Sequence, residues 1–196
     1  MKTKIILETL VLAAALTATQ AGAGPISLQG GTVTATYNGS ADGVLGLDHL
    51  FQPEPGSNTS AIDPAGYPDL EFLTADGLFG FDFTPAGRLD VYLNQPSVEP
   101  GQYRLVFDFG ASLAQEIGSF TLLDAGAIGG LPTLSVLSGT SIAIDLSSVT
   151  WNDTYGMFSA QIGTAAAVPE PGSAGLALAG LTGLALARRR KSRAQR

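Results

Sequence analysis

The one histidine in this chain of 196 residues, His49, stands between Asp48 and Leu50 and is the first place to look for acid–base chemistry. A serine hydrolase would use such an imidazole as base beside a nucleophile on a sharp turn, and no Gly-x-Ser-x-Gly elbow accompanies it. Set in the apolar stretch Val44 to Phe51, His49 reads as a structural strand residue. One histidine and no cysteine exclude a histidine-rich or thiolate zinc centre and a cysteine nucleophile. Carboxylates are plentiful, and glycoside hydrolysis needs two of them about 5–10 Å apart across a cleft. No spacing selects such a pair, since the acids fall mostly in turns or on the polar side of alternating stretches. No catalytic residue is assigned, and the chain is expected not to be an enzyme.

Calcium is the one metal for which the ligand chemistry is present, because it takes hard oxygens gathered from turns. Asp63, Asp69 and Glu71 flank a long irregular stretch, and Asp42 and Asp48 frame another turn. Neither an EF-hand loop nor a glycine-rich calcium repeat is found, so the metal ligands stay unassigned and no cofactor is expected. Stacking on sugar rings would call on the aromatic residues Tyr37, Tyr67, Tyr92, Tyr103, Tyr155 and Trp151. Trp151 is the candidate ligand contact among them, because the turn-like Asn152-Asp153-Thr154 that follows places it at the edge of a folded core.

The elements that would position these groups read as strands. Val33, Ala35 and Tyr37 alternate with threonines; Leu89, Val91 and Leu93 alternate with Arg88, Asp90 and Tyr92. The same period of two recurs in Tyr103 to Phe109, Ile142 to Leu146 and Phe158 to Ile162, and Phe79, Phe81 and Phe83 form an aromatic face opposite Asp82. Such alternation marks half-buried strands. Asn38-Gly39, Asp42-Gly43, Asp76-Gly77, Pro85-Ala86-Gly87, Pro100-Gly101 and Gly129-Gly130 punctuate them as turns. No window between the chain ends has helical periodicity beyond one turn at Ala111 to Ile117, and Gln52 to Pro68 reads as a long surface loop. The expectation is an all-β fold, an antiparallel β-sandwich or jelly-roll-like core, flanked by an N-terminal signal helix and a C-terminal transmembrane helix.

The ends have a different character. Lys2 and Lys4, the apolar Leu10 to Ala18 and the small-residue site Ala21-Gly22-Ala23 have the order of a secretory signal peptide over residues 1–23. At the other end, Val168-Pro169-Glu170-Pro171 precedes an apolar run from Gly172 to Ala187, and Arg188, Arg189, Arg190 and Lys191 follow it. As a helix the run spans about 24 Å against about 30 Å of hydrocarbon, a marginal anchor that snorkelling arginines can complete. The basic cluster holds the C-terminus in the cytoplasm. Pro169 and Pro171 keep the sequence between them extended and readable.

This tail resembles the PEP-CTERM sorting signal of exopolysaccharide-producing Gram-negative bacteria, carried by Val168, Pro169, Glu170 and Pro171 with the run and the basic stop behind them. The resemblance covers residues 168–196 only. It implies an exosortase, an integral-membrane protease, as partner, an inner-membrane-anchored precursor held by residues 172–187, and a final place in the cell envelope or extracellular matrix beside exopolysaccharide.

Residues 24–167 remain as one extracytoplasmic domain. They hold two basic and fifteen acidic residues, a formal charge of −13 against −7 for the whole chain. Nucleic acid is excluded as a partner, since phosphate binding needs clustered Lys and Arg. The sequence thus points to a structural or adhesive protein of the envelope or matrix. The alternative is a secreted carbohydrate-binding or carbohydrate-active domain.

Overall fold

Alternating side chains become two-faced strands in the computed structural model, which describes residues 24–47, 57–62 and 70–165. The strands in chain order are β1 (Thr32–Tyr37), β2 (Val44–Gly46), β3 (Thr59–Ala61), β4 (Phe72–Thr74), β5 (Phe79–Phe83) and β6 (Arg88–Leu93). They continue as β7 (Arg104–Asp108), β8 (Ile117–Asp124), β9 (Ile128–Gly129), β10 (Thr133–Ser138), β11 (Ser141–Asp145), β12 (Thr150–Trp151) and β13 (Met157–Thr164). Ala23–Ala166 forms one compact unit, and the other unit, Met1–Gly22 with Ala167–Arg196, lies outside the described residues. The fold is all-β. Among the described residues no helix is long and apolar enough to cross a membrane; the expected signal peptide at 1–23 and the expected span at 172–187 lie outside them.

One sheet runs β10-β11-β7-β1-β3, a second runs β2-β4-β5-β6-β13-β8, and β12 pairs separately with β9. All these pairings are antiparallel. The core lies between the two large sheets. Phe107 of β7 meets Phe81, Phe83 and Phe72 of the second sheet at ring-centroid distances of 5.3, 5.0 and 5.9 Å. Phe83 also meets Phe109 edge to face at 5.5 Å. Edge-to-face contact brings the positive rim of one ring to the negative face of another, and each buried ring removes a large apolar area from water. With no cysteine, this packing takes the place of covalent cross-links.

The turns follow the chemistry of their residues. Asn38 and Gly39 both adopt positive φ (49° and 81°), and Tyr37 and Ser40 exchange two backbone hydrogen bonds of 3.0 Å across them. Asn tolerates that region because its amide bonds locally, and Gly because it has no Cβ. Three details differ from the reading of the sequence. The expected helical turn at Ala111 to Ile117 is a 3-10 turn at Gly110–Ser112, and Ile117 already opens β8. Within Gln52 to Pro68, Thr59–Ala61 pairs with β1, aided by Asn58 Nδ2 donating to the Ala35 carbonyl at 2.7 Å; residues 52–56 and 63–68 lie outside the described residues. Finally, Asp82 and Asp90, on the polar side of their strands, are buried, at 4% and 3% exposure.

Candidate functional site

Two adjoining depressions lie where the entry to β7, the end of β11 and the β1–β2 turn converge. The turn residue Asn38 ties them together. Its N–H donates to the Arg104 carbonyl at 2.8 Å, its Oδ1 accepts from the Arg104 N–H at 2.9 Å, and its Nδ2 donates to the Gln102 carbonyl at 2.8 Å. Opposite, Asp145 Oδ1 accepts from the Ser147 N–H at 2.9 Å, the local bond that Asp forms in turns. The Ser147 hydroxyl in turn accepts from the Tyr103 N–H at 2.9 Å. These residues frame a depression of about 630 Å³. Ser147 also lines its neighbour, about 460 Å³, which runs past Tyr103 to Trp151 along the Pro96–Pro100 loop.

Trp151, the ligand contact expected from the sequence, therefore does line a groove. Much of its ring is committed elsewhere, packed at 6.1 Å from Phe79 and 5.9 Å from Phe158. Tyr103 stacks edge-on to the same Phe79 at 5.4 Å, and its hydroxyl donates to the Glu99 carbonyl. Both aromatics plug the end of the core and show the groove only what is left over. Arg104 is different. Its Cα faces Asp145 across the β7–β11 pair, yet it makes no ion pair among the described residues. Sequence reasoning did not single out Asn38, Gln102 or Arg104, because two chain segments far apart in sequence meet there.

A second polar cluster lies on the outward face of β5, β6 and β13. Asp82 and Asp90 are direct cross-strand partners, and Ser159 stands opposite Asp90 on its other side. Asp90 accepts from the Ser159 hydroxyl at 2.6 Å and pairs with Arg88 at 2.7 Å. Nearby, the buried Glu71 accepts from the Phe83 N–H at 2.6 Å. Burial, reinforced by the charges of Asp90 and Asp82, pushes the Tyr92 phenol up to about 12. Burial likewise raises Tyr37 well above the ordinary phenol range, helped by the hydrogen bond it donates to Asp76 at 3.0 Å. Asp90 and Glu71 serve the fold through these bonds.

The described residues contain no group of three His, Cys, Asp or Glu placed to hold a metal. Of the calcium candidates, Asp42 and Glu71 are described, and Asp48, Asp63 and Asp69 lie outside the described residues with His49. The sorting residues Val168 to Pro171 and the stop residues Arg188 to Lys191 also lie outside them. No curated protein and no solved structure matches the chain. Residues 167–191 match the PEP-CTERM protein-sorting motif, which implies an exported, membrane-anchored precursor with exosortase as its processing partner.

Proposed function

We infer that the chain is an exported, non-enzymatic β-sandwich protein, a structural or adhesive component of the cell envelope or polysaccharide matrix. What supports this reading is the way the domain uses its chemistry-bearing groups. The rings of Phe72, Phe81, Phe83, Phe107 and Phe109 fill the space between the sheets, and Glu71, Asp90 and Asp145 bond to backbone, hydroxyl and guanidinium groups of the fold itself. A catalytic cleft would hold such groups toward a substrate. The test is to fractionate the native host into membrane, medium and matrix, and to compare adhesion of cells with and without the protein. Matrix location with weakened adhesion in its absence is the expected result; turnover of a glycan by the purified protein would overturn it.

A second reading, carbohydrate binding, is favoured by one observation: Arg104, with no ion partner among the described residues, beside the groove of Tyr103 and Trp151. If that groove holds sugar, Arg104→Ala weakens retention on host exopolysaccharide about tenfold with an unchanged unfolding midpoint. Unchanged retention leaves the structural reading alone.

A further inference from the structure

The first described residues behave as a strand added to the end of the last one. Gly24 spends both of its backbone groups on Thr164: its carbonyl accepts from the Thr164 N–H at 2.8 Å and its N–H donates to Thr164 Oγ1 at 3.3 Å. Pro25 bridges Gly163, and the Ile26 N–H donates to the Ile162 carbonyl at 3.1 Å. Two residues on, the Leu28 N–H donates to the Pro85 carbonyl at 2.9 Å, so the segment also grips the turn between β5 and β6. Ile26 and Leu28 are both buried, at 1% exposure.

The receiving surface is shaped for this segment. At Gly87, which has φ +77°, a Cβ would lie 2.7 Å from the Ile26 carbonyl oxygen and 2.8 Å from its Cγ2. At Gly163 a Cβ would lie 3.1 Å from the Gly24 carbonyl oxygen. Two glycines thus leave room for the segment on two sides.

Gly24 is also the residue that follows the expected signal-peptide site Ala21-Gly22-Ala23, and the proposal rests on that reading. A peptidase cuts an extended chain held on both sides of the scissile bond, which requires locally unfolded substrate. With Gly24 hydrogen-bonded through both backbone groups and Ile26 buried, the Ala23–Gly24 bond cannot be held that way. Docking and cutting exclude each other. The partner in the dock, Thr164, is moreover the last residue of β13, one residue before Ala165, where the described chain ends.

We propose that Gly24–Leu28 is a latch whose docking on β13 and on the β5–β6 turn shields the Ala23–Gly24 bond, so that signal-peptide removal must precede docking. Docking then completes the strand from whose end the sorting tail leaves. The test uses the full-length precursor in detergent, mixed with signal peptidase either folded or freshly diluted from urea. Cleavage at Ala23–Gly24 is expected at least about a hundredfold slower in the folded chain, since proteolysis follows the population of the open form. The double variant Ile26→Asp, Leu28→Asp should be cut rapidly in both states. Equal rates for folded and unfolded wild type overturn the proposal. No cut at this bond in either state overturns it differently, by removing the signal-peptide reading beneath it. Hydrogen exchange on the processed wild-type chain decides independently of the variant: protection of the Ile26 and Thr164 amides supports docking, and free exchange of Ile26 within an otherwise protected sheet overturns it.

Discussion

Two glycines with nearly the same backbone show how much of a residue's importance comes from its surroundings. Gly77 has φ +70° and Gly87 φ +77°, and both close turns that Asp76-Gly77 and Pro85-Ala86-Gly87 announce in the sequence. At Gly77 the nearest atom to an added Cβ is the end of Gln95 at 3.5 Å; at Gly87 it is backbone and side chain of Ile26. Gly77→Ala is therefore expected to cost about 1 kcal/mol, the strain alone, and Gly87→Ala about 2 kcal/mol or more, as urea unfolding will show. A tyrosine offers the other test at this scale. Raised from 10.0 to about 12 by burial and by Asp90 and Asp82, Tyr92 is favoured neutral in the folded state. Its contribution is complete below the unfolded value and is lost as pH rises from 10 toward 12. The unfolding midpoint should hold up to about pH 10 and fall from there toward about pH 12, and less steeply in Tyr92→Phe; Tyr37, raised too, keeps part of the slope.

Strands were legible where alternation ran unbroken and hidden where a bulge interrupted it. β1, β6, β7, β11 and β13 each keep a period of two, and each could be read directly. In β8 the register shifts twice against β13, so the inward residues Ile117 and Phe120 are three apart and the sequence shows no period. In β10, Val136 pairs with Ile142 and Ser138 with Ser141, leaving Leu137 as the extra residue, 47% exposed. Both are edge strands, where bulges discourage pairing with another chain. The groove was illegible for a different reason, since Asn38, Gln102, Arg104 and Asp145 meet only through pairings across the sheet. Trp151 was visible because its own neighbours signalled a turn. Alternation also assigned Asp82 and Asp90 to the outward face, but a period says nothing of how deeply residues on that face are buried. These differences predict contrasting costs: Phe107→Ala about 3–5 kcal/mol, because three rings of the opposite sheet lose their partner, and Leu137→Lys within about 0.5 kcal/mol. Denaturant midpoints of the two variants check the pair.

For the molecule as a whole, the sorting tail and the domain have opposite charge. Of ten basic residues, two precede Gly24, six follow Ala187, and only Arg88 and Arg104 lie between. The intact chain carries −7 and the span 24–167 carries −13, so processing at both ends would release a much more acidic protein. The apolar run between Gly172 and Ala187 is short and diluted by Gly172, Gly175, Gly180 and Gly183, which makes it a weak permanent anchor. A weak anchor with a strong basic stop suits a segment that holds the chain at the membrane until it is cut. Intact-mass analysis of the native protein from host membrane and medium, with and without exosortase activity, measures this directly. With the enzyme, the expected species lacks the apolar run and its arginines, focuses at a more acidic point than the precursor, and leaves the membrane fraction. Without it, the same domain stays membrane-bound with Arg188 to Arg196 attached. An intact tail in both strains would mean that the motif anchors this protein permanently, and that the domain works at the membrane surface instead of beyond it.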